Sequence, residues 1–533
     1  MNSNGFTRRN WLKFAGALGL ATLVIVGAPP MLRAETKNAT GPIDIGTRRE
    51  LFIDTHLIDR LEGQAEQRLH RPIPREIVLV HDEPWEGTGS GYHSIFQDGE
   101  RYRMYYKAWH LEASQGKLDT QRHPLYCCYA ESDDGIHWSK PQLGLHTFQG
   151  SAQNNIVMAS GKLGPLNVDA GHPAVFKDGN PNASADATYK AIVRSSSPNG
   201  LLPMKSPDGI HFTPMTQTPI LSGLGAFDSQ NLAFWDPRLG KYRAYWRIFT
   251  AGETSEKVWK PAGIRAIRTA TSDDMIHWSQ PVDLIYEDSP SEQLYTNQIK
   301  PYFRAPHILI GFPTRYIDRG WSVTMEGLPE RAHRKLRSSS VPRYGTALTE
   351  GLLMASRDGV KFKRWNEAFL RPGFERPGTW HYGHQYIAWH VVETKSALAG
   401  APNELSLYAV ESYWTGEGSA LRRYTLRLDG FVSLSAPMSG GEVITKRLKF
   451  SGSQLTMNFA TSAAGSVRVE IQDAAGKPIE GFSLADCHDH FGDTVDRVVQ
   501  WKNGPDMDQL IGQSIRLRFV LKDADLYSFQ WVE

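Results

Sequence analysis

A chain of 533 residues exceeds what one ordinary hydrophobic core can organise, so two or more domains are required. Its 59 basic and 57 acidic side chains leave a formal charge of +2, too weak a field to recruit nucleic acid. Three cysteines, Cys127, Cys128 and Cys487, allow neither a disulfide framework nor a CxxC-type zinc site.

Residues Thr7-Arg8-Arg9-Asn10-Trp11-Leu12-Lys13 precede an apolar run from Phe14 to Ala28 and then Pro29-Pro30. This start resembles a twin-arginine signal peptide, with cleavage expected after Ala34. The resemblance implies export of the folded protein to the periplasm or the medium, with residues 1–34 removed. The run falls short of the roughly 20 residues a spanning helix needs, so no membrane anchor is expected after cleavage.

Between about residues 45 and 435 a turn motif recurs. It reads Ser132-Asp133-Asp134-Gly135-Ile136-His137-Trp138, Ser206-Pro207-Asp208-Gly209-Ile210-His211-Phe212, Ser272-Asp273-Asp274-Met275-Ile276-His277-Trp278 and Ser356-Arg357-Asp358-Gly359-Val360-Lys361-Phe362. A degenerate fifth copy is Arg427-Leu428-Asp429-Gly430-Phe431. Asp-Gly supplies the positive φ of a tight turn, and the serine can bond the turn backbone. Before each turn lies an alternating aromatic and β-branched strand, such as Arg101–Tyr106, Tyr189–Val193 and Tyr242–Trp246. Upstream of those strands come His93-Ser94-Ile95-Phe96, His172-Pro173-Ala174-Val175, Gln230-Asn231-Leu232, Asn297-Gln298-Ile299 and His384-Gln385-Tyr386. Five such units that cannot bury themselves alone are expected to close into a five-bladed β-propeller. The stretch from Gly320 to Tyr344, with Arg331, Arg334, Arg337 and Arg343, reads as a long solvated loop on blade four, with a lid or a patch for an acidic sugar as the alternative. After about Ser435 the repeat stops, and short alternating strands over 436–533 predict a C-terminal β-sandwich in an all-β protein.

The Ser-x-Asp-Gly-x-x-Trp turn, repeated after strands with Tyr-Arg-x-Tyr, resembles the five-bladed propeller glycosidases of families 32 and 43. The opening Arg49-Glu50-Leu51-Phe52-Ile53-Asp54 and Pro84-Trp85-Glu86 are similar to an exported bacterial branch of that group. The resemblance implies a glycoside hydrolase-like enzyme cleaving an extracellular oligo- or polysaccharide. The family 32 motifs Asn-Asp-Pro-Asn, Arg-Asp-Pro and Glu-Cys do not occur. At the blade-one acid position of family 43 stands Gly91-Tyr92-His93-Ser94. A non-catalytic glycan-binding propeller is therefore the alternative.

Cleavage of a glycosidic bond calls for paired carboxyl groups. The acids just upstream of the inner strands are Glu86, Asp169 and Asp228, the candidate catalytic set; an Asp just before a strand is more often a turn residue, and Glu86 reads equally as a surface-loop residue. His93, His172, Gln230, Asn297, Trp380, Tyr382 and His384 are candidate substrate contacts at the channel, joined by Tyr92, Tyr295 and Arg315. No cofactor is required. The three imidazoles allow either hydrogen bonds to sugar hydroxyls or a divalent metal held in the channel.

Overall fold

Each repeat folds as an antiparallel sheet. The computed structural model describes residues 41–533 apart from 115, 256 and 257, so the signal-peptide reading lies outside the described residues. Blade one runs outward from Gly91–Asp98 through Arg101–Ala108 and Tyr126–Ser132 to Ile156–Ala159. Blade two is built on Leu166–Lys177, Tyr189–Ser197 and Asn199–Ser206, and blade three on Leu232–Asp236, Lys241–Thr254 and Trp259–Ser272. Blade four runs from Lys300–Tyr302 through Ala305–Gly311 and Met354–Ser356 to Lys361–Arg364. Blade five has Val392–Thr394, Glu404–Glu411 and Ala420–Arg427, and its outermost strand is Ile73–Val80 from the start of the chain. That pairing fastens the ring.

Two glutamines tie the five inner strands together on the axis. Gln230 Nε2 donates to the carbonyls of Tyr92 at 2.9 Å and Pro173 at 2.8 Å. Gln298 Nε2 donates to Gln230 Oε1 at 2.7 Å and to the carbonyl of Ile387 at 3.0 Å. One buried network thus touches every blade, and it plugs the shaft below the mouth.

The repeated turns also lock neighbouring blades. In the second copy Ser206 Oγ accepts from the Gly209 amide at 2.9 Å, while Asp208 Oδ1 accepts from the amides of Ile210 and His211 at 2.8 and 2.9 Å. Tyr105 of blade one then donates to the Gly209 carbonyl at 2.8 Å. Tyr245 does the same to Gly359, and Tyr408 of blade five to Gly135 of blade one. A Cβ at Gly209 would lie 2.7 Å from that tyrosine oxygen at a φ of +80°, so glycine is required on both counts. The third turn carries Met275 at a φ of 67°. There the facing position holds Ile192 in place of a tyrosine, and Met275 is buried in the same apolar cluster.

Outside the ring, ten strands form one hydrogen-bonded sheet around a separate apolar core. Its spine is the pair Gln454–Asp473 and Ile515–Val532, whose register shifts between Thr461 and Ser466. Both halves of that pair, Leu455 to Phe459 and Val467 to Ile471, bury side chains in this one core. The strands Ile43–Gly46, Glu50–Leu51, Ile58–Gly63 and Glu66–Leu69 pair here, not with a blade, although the repeat region was expected to begin near residue 45.

The Gly320–Tyr344 segment is not a solvated loop. It contains the helices Val323–Gly327 and Arg331–Ser340, followed by Arg343–Thr346. Arg334 and Arg337 are fully buried and donate to the carbonyls of Trp380 and Trp414, at 2.6 and 3.1 Å, which pins the insertion over blade five.

Candidate active site

The mouth of the ring on the side of the helical insertion is a cavity of about 280 Å³. Every blade contributes: Tyr92 and Lys107, then Asp169, His172 and Arg194, then Asp228, then Tyr295, and finally Tyr382 and Tyr413. Arg343 and Tyr344 of the insertion complete its wall.

Irregular inner strands aim these side chains. In blade two Asp169 pairs with Arg194, but Ala174 already faces Ile192, so three extra residues bulge between them. The bulge carries His172 to the mouth, where its Nδ1 lies 2.8 Å from Asp169 Oδ2. In blade one the register slips between Gly91 and Ser94, and Tyr92 takes a φ of 52°.

The two carboxylates have different surroundings. Asp169 accepts from the Gly171 amide at 2.9 Å, and Arg194 stands 3.8 Å away. Burial opposes its ionisation, yet His172 and Arg194 outweigh it and hold the carboxyl below the usual range. Asp228 is paired with the buried guanidinium of Arg247 and leaves 40% of its side chain exposed to the cavity. Against the upward push of burial, the charges of Arg247, His172 and Arg194 hold it low as well.

Lys107 is buried opposite them. Its ammonium donates to Tyr413 Oη at 3.0 Å and sits 4.5 Å from the Tyr92 ring and 4.6 Å from the Trp109 ring. Burial, opposed by the charge of Asp169, pushes it down to about 7. Tyr382 donates to Tyr295 Oη at 3.0 Å, and Tyr344 packs 5.6 Å from Tyr382. The floor and sides are thus aromatic rings with hydroxyl tips.

Of the expected residues, Asp169, Asp228, His172 and Tyr382 meet at this mouth, with Tyr92 and Tyr295. Glu86 does not. It is fully buried within blade one, accepting from Tyr106 Oη and paired with Lys140 at 2.7 Å, and burial pushes its carboxyl up against the pull of Lys140. His93 is buried beside His81, 3.0 Å between their Nε2 atoms. Because His81 Nδ1 donates to the Ser419 carbonyl, its Nε2 accepts from His93. Gln230 is the axial plug already described. Asn297 is buried, its Oδ1 3.4 Å from the Ile299 amide. His384 accepts from the Trp380 amide at 2.9 Å, and the Trp380 indole is tied to the Gly373 carbonyl at 2.8 Å. Arg315 is engaged by Glu292 and Glu350. All of these sit deeper than the mouth or beside it, since a residue near an inner strand end can point into a blade as easily as into the channel. His93, His172 and His384 have separate partners, and among the described residues no three His, Cys, Asp or Glu side chains group as metal ligands.

Lys107, Arg194, Arg247, Tyr344 and Tyr413 are additions to the residues expected from sequence, and Arg343 was expected only within the alternative of a lid or acidic-sugar patch. For the first three a signal exists. Each stands five residues after a tyrosine in the first two positions of the second strand, Tyr102, Tyr189 or Tyr242, so a basic side chain recurs at one repeat position. The insertion's contribution has no such periodic trace.

No protein-family model matches this chain, and no curated protein matches it in sequence. Several solved structures similar to it are titled as glycoside hydrolases, and one as an N-acetylgalactosamine deacetylase. One titled simply "Glycoside hydrolase" is 12% identical with a TM-score of 0.42, over 67% of this chain and 92% of that one. A family 43 arabinoxylan arabinofuranohydrolase from Bacillus subtilis is 12% identical with a TM-score of 0.39, over 87% and 99%. The catalytic domain of a Coprinopsis cinerea GH62 α-L-arabinofuranosidase is 9% identical with a TM-score of 0.40, over 67% and 97%. Such a likeness adds nothing to the chemistry of the mouth.

Proposed function

We propose that the mouth is the active site of a glycoside-cleaving enzyme that takes one sugar unit at a time. The observation that carries this is the meeting of two ionised carboxylates, Asp169 and Asp228, from adjacent blades inside an aromatic-walled cavity. Tyrosine faces can cover the apolar side of a sugar ring while their hydroxyls bond its polar edge. Carboxylates beside the anomeric carbon stabilise the positive charge of an oxocarbenium-like transition state. At about 280 Å³ the cavity falls just under the roughly 300–1,000 Å³ of pockets for drug-sized ligands, which suits a single ring.

Asp228 is ionised and the more open of the pair, and it acts as nucleophile or as the base that activates water. Asp169, locked by His172 and the Gly171 amide, supplies fixed negative charge. The leaving oxygen needs a proton as the glycosidic bond breaks. Lys107, at about 7, is the donor whose proton affinity suits neutral pH. The twin-arginine-like start supports export, which puts periplasmic or extracellular glycans within reach.

The test is release of reducing sugar from a glycan panel by the wild type, Asp228→Asn and Asp169→Asn. Loss of about 10²–10⁴-fold in turnover for Asp228→Asn is expected. Undiminished turnover in both variants overturns the assignment. A second reading, a glycan-binding propeller without catalysis, is favoured by one observation: neither carboxylate of the mouth is raised, as a carboxylic proton donor requires. Glycan binding by the wild type with no product released would support it.

A further inference from the structure

Counting charge at the mouth identifies the class of sugar. Lys107, Arg194, Arg247 and Arg343 face only two carboxylates, Asp169 and Asp228. Asp228 is taken up by Arg247, and Asp169 lies between His172 and Arg194. Two cations are left over. Among the described residues no carboxylate lies within 4.0 Å of Lys107 or Arg343. Arg343 has only phenols for company: Tyr316 Oη and Tyr344 Oη, each at 3.4 Å, and the Tyr344 ring 4.6 Å below it. Lys107 has Tyr413 Oη and three aromatic faces. The Nε–H of Arg194, also on this wall, is buried without an acceptor.

Keeping a guanidinium without an acid in a half-enclosed cavity costs solvation that a structural role would have recovered with a carboxylate, and unlike Lys107 the guanidinium cannot shed its proton near neutral pH. A neutral sugar leaves that cost in place. An anionic substituent on the sugar removes it, through charge-assisted bonds to the guanidinium fork. The position of Arg343 on the insertion separates this task from the reacting carboxylates, which come from blades two and three.

We propose that the mouth selects a sugar unit bearing an anionic group, a uronate carboxylate or a sulfate ester, and that Arg343 receives that group. The proposal rests on the reading that this cavity binds a sugar, but not on its being catalytic.

Binding to the full-length protein is measured by calorimetry with three probes: digalacturonic acid, galactose 6-sulfate and neutral galactobiose. The wild type and the folded variants Arg343→Gln and Asp228→Asn are compared, with melting curves as the check on folding. At least about ten-fold tighter binding of an anionic probe than of the neutral one is expected. Arg343→Gln should erase that preference while leaving neutral-sugar binding in place. Raising ionic strength should weaken only the anionic probe. The carboxylate and sulfate probes tell the two sources of charge apart. Equal binding of neutral and anionic probes, a preference that survives Arg343→Gln, or no binding of either anionic probe overturns the proposal. Selective anion binding with no cleavage of any glycan leaves it standing and removes the catalytic reading instead. If Arg343→Gln fails to fold, the salt dependence of wild-type binding decides: a neutral and an anionic probe with the same dependence overturn it.

Discussion

Lys107 is the residue on which the proposed chemistry is most sensitive to pH. Asp169 and Asp228 are held below the usual carboxylate range, so both stay ionised to low pH and the acid limb of turnover should lie below about 4. Lys107 must be protonated to donate, and it loses its proton as pH rises through about 7. Turnover should therefore fall on the alkaline side of about 7, and Lys107→Met should abolish that limb along with most of the rate. A profile that stays flat to pH 9 would assign the proton to another group. A second titration concerns folding. Burial pushes His81 and His384 down to about 3, whereas in the unfolded chain they titrate near 6.5. Between those values the unfolded state binds more protons, so stability rises with pH across that window and is lost as pH falls through it. Urea midpoints measured from pH 7 to pH 4 should decline steadily, and His384→Gln should shallow the slope.

At the level of elements, the turn motif works as a clasp between blades more than as a local hairpin. The Asp208 carboxylate organises two amides and the His211 imidazole, and the turn then offers the Gly209 carbonyl to Tyr105 of the preceding blade. Asp208→Ala should cost about 1–2 kcal/mol of unfolding free energy, mostly through amides left without their acceptor. Gly209→Ala should cost more than Asp208→Ala, because a Cβ there meets the tyrosine oxygen at 2.7 Å in a backbone region that disfavours it. Thermal melts of the two variants give the ranking, and the reverse order would refute the clasp. The degenerate fifth copy differs in kind. Asp429 has a φ of 62° and its carboxylate is directed away from its own turn.

For the whole molecule, Asp429 is where ring and outer sheet meet. Fully buried, it accepts from Tyr302 Oη at 2.8 Å and Arg304 Nε at 2.9 Å in blade four, and from Ser528 Oγ at 2.7 Å in the outer sheet. Arg49 of the opening motif reaches it at 3.3 Å. Glu50 and Asp54 of the same motif hold Arg357 of blade four, each at 2.8 Å. The charges of His307 and Arg357, with their hydrogen bonds, overcome burial and bring the Glu50 carboxyl down to about 2. Asp429→Ala leaves two guanidinium groups without this partner and should cost about 3–5 kcal/mol, read as a fall in denaturant midpoint. A loss under 1 kcal/mol would show that the two bodies are joined elsewhere. After two more strands of the outer sheet, Ile73–Val80 closes blade five, so the first described segment, residues 41–80, serves both bodies.

Sequence by itself determined the repeat, the turns and the number of blades, because Asp-Gly geometry and period-two alternation are local properties that each unit carries in full. It also singled out Asp169, Asp228, His172 and Tyr382, whose places in the repeat bring them to the channel end of an inner strand. Only the tertiary structure decided which neighbours at those strand ends turn outward: Asp169 through a bulge into the cavity, Glu86 inward to Tyr106 and Lys140. Likewise the docking of the Arg-rich insertion rests on carbonyls of blade five and puts Arg343 at the mouth. Which way a side chain points across a bulge, and what a long insertion lies against, depend on contacts far apart along the chain, and no local pattern encodes them.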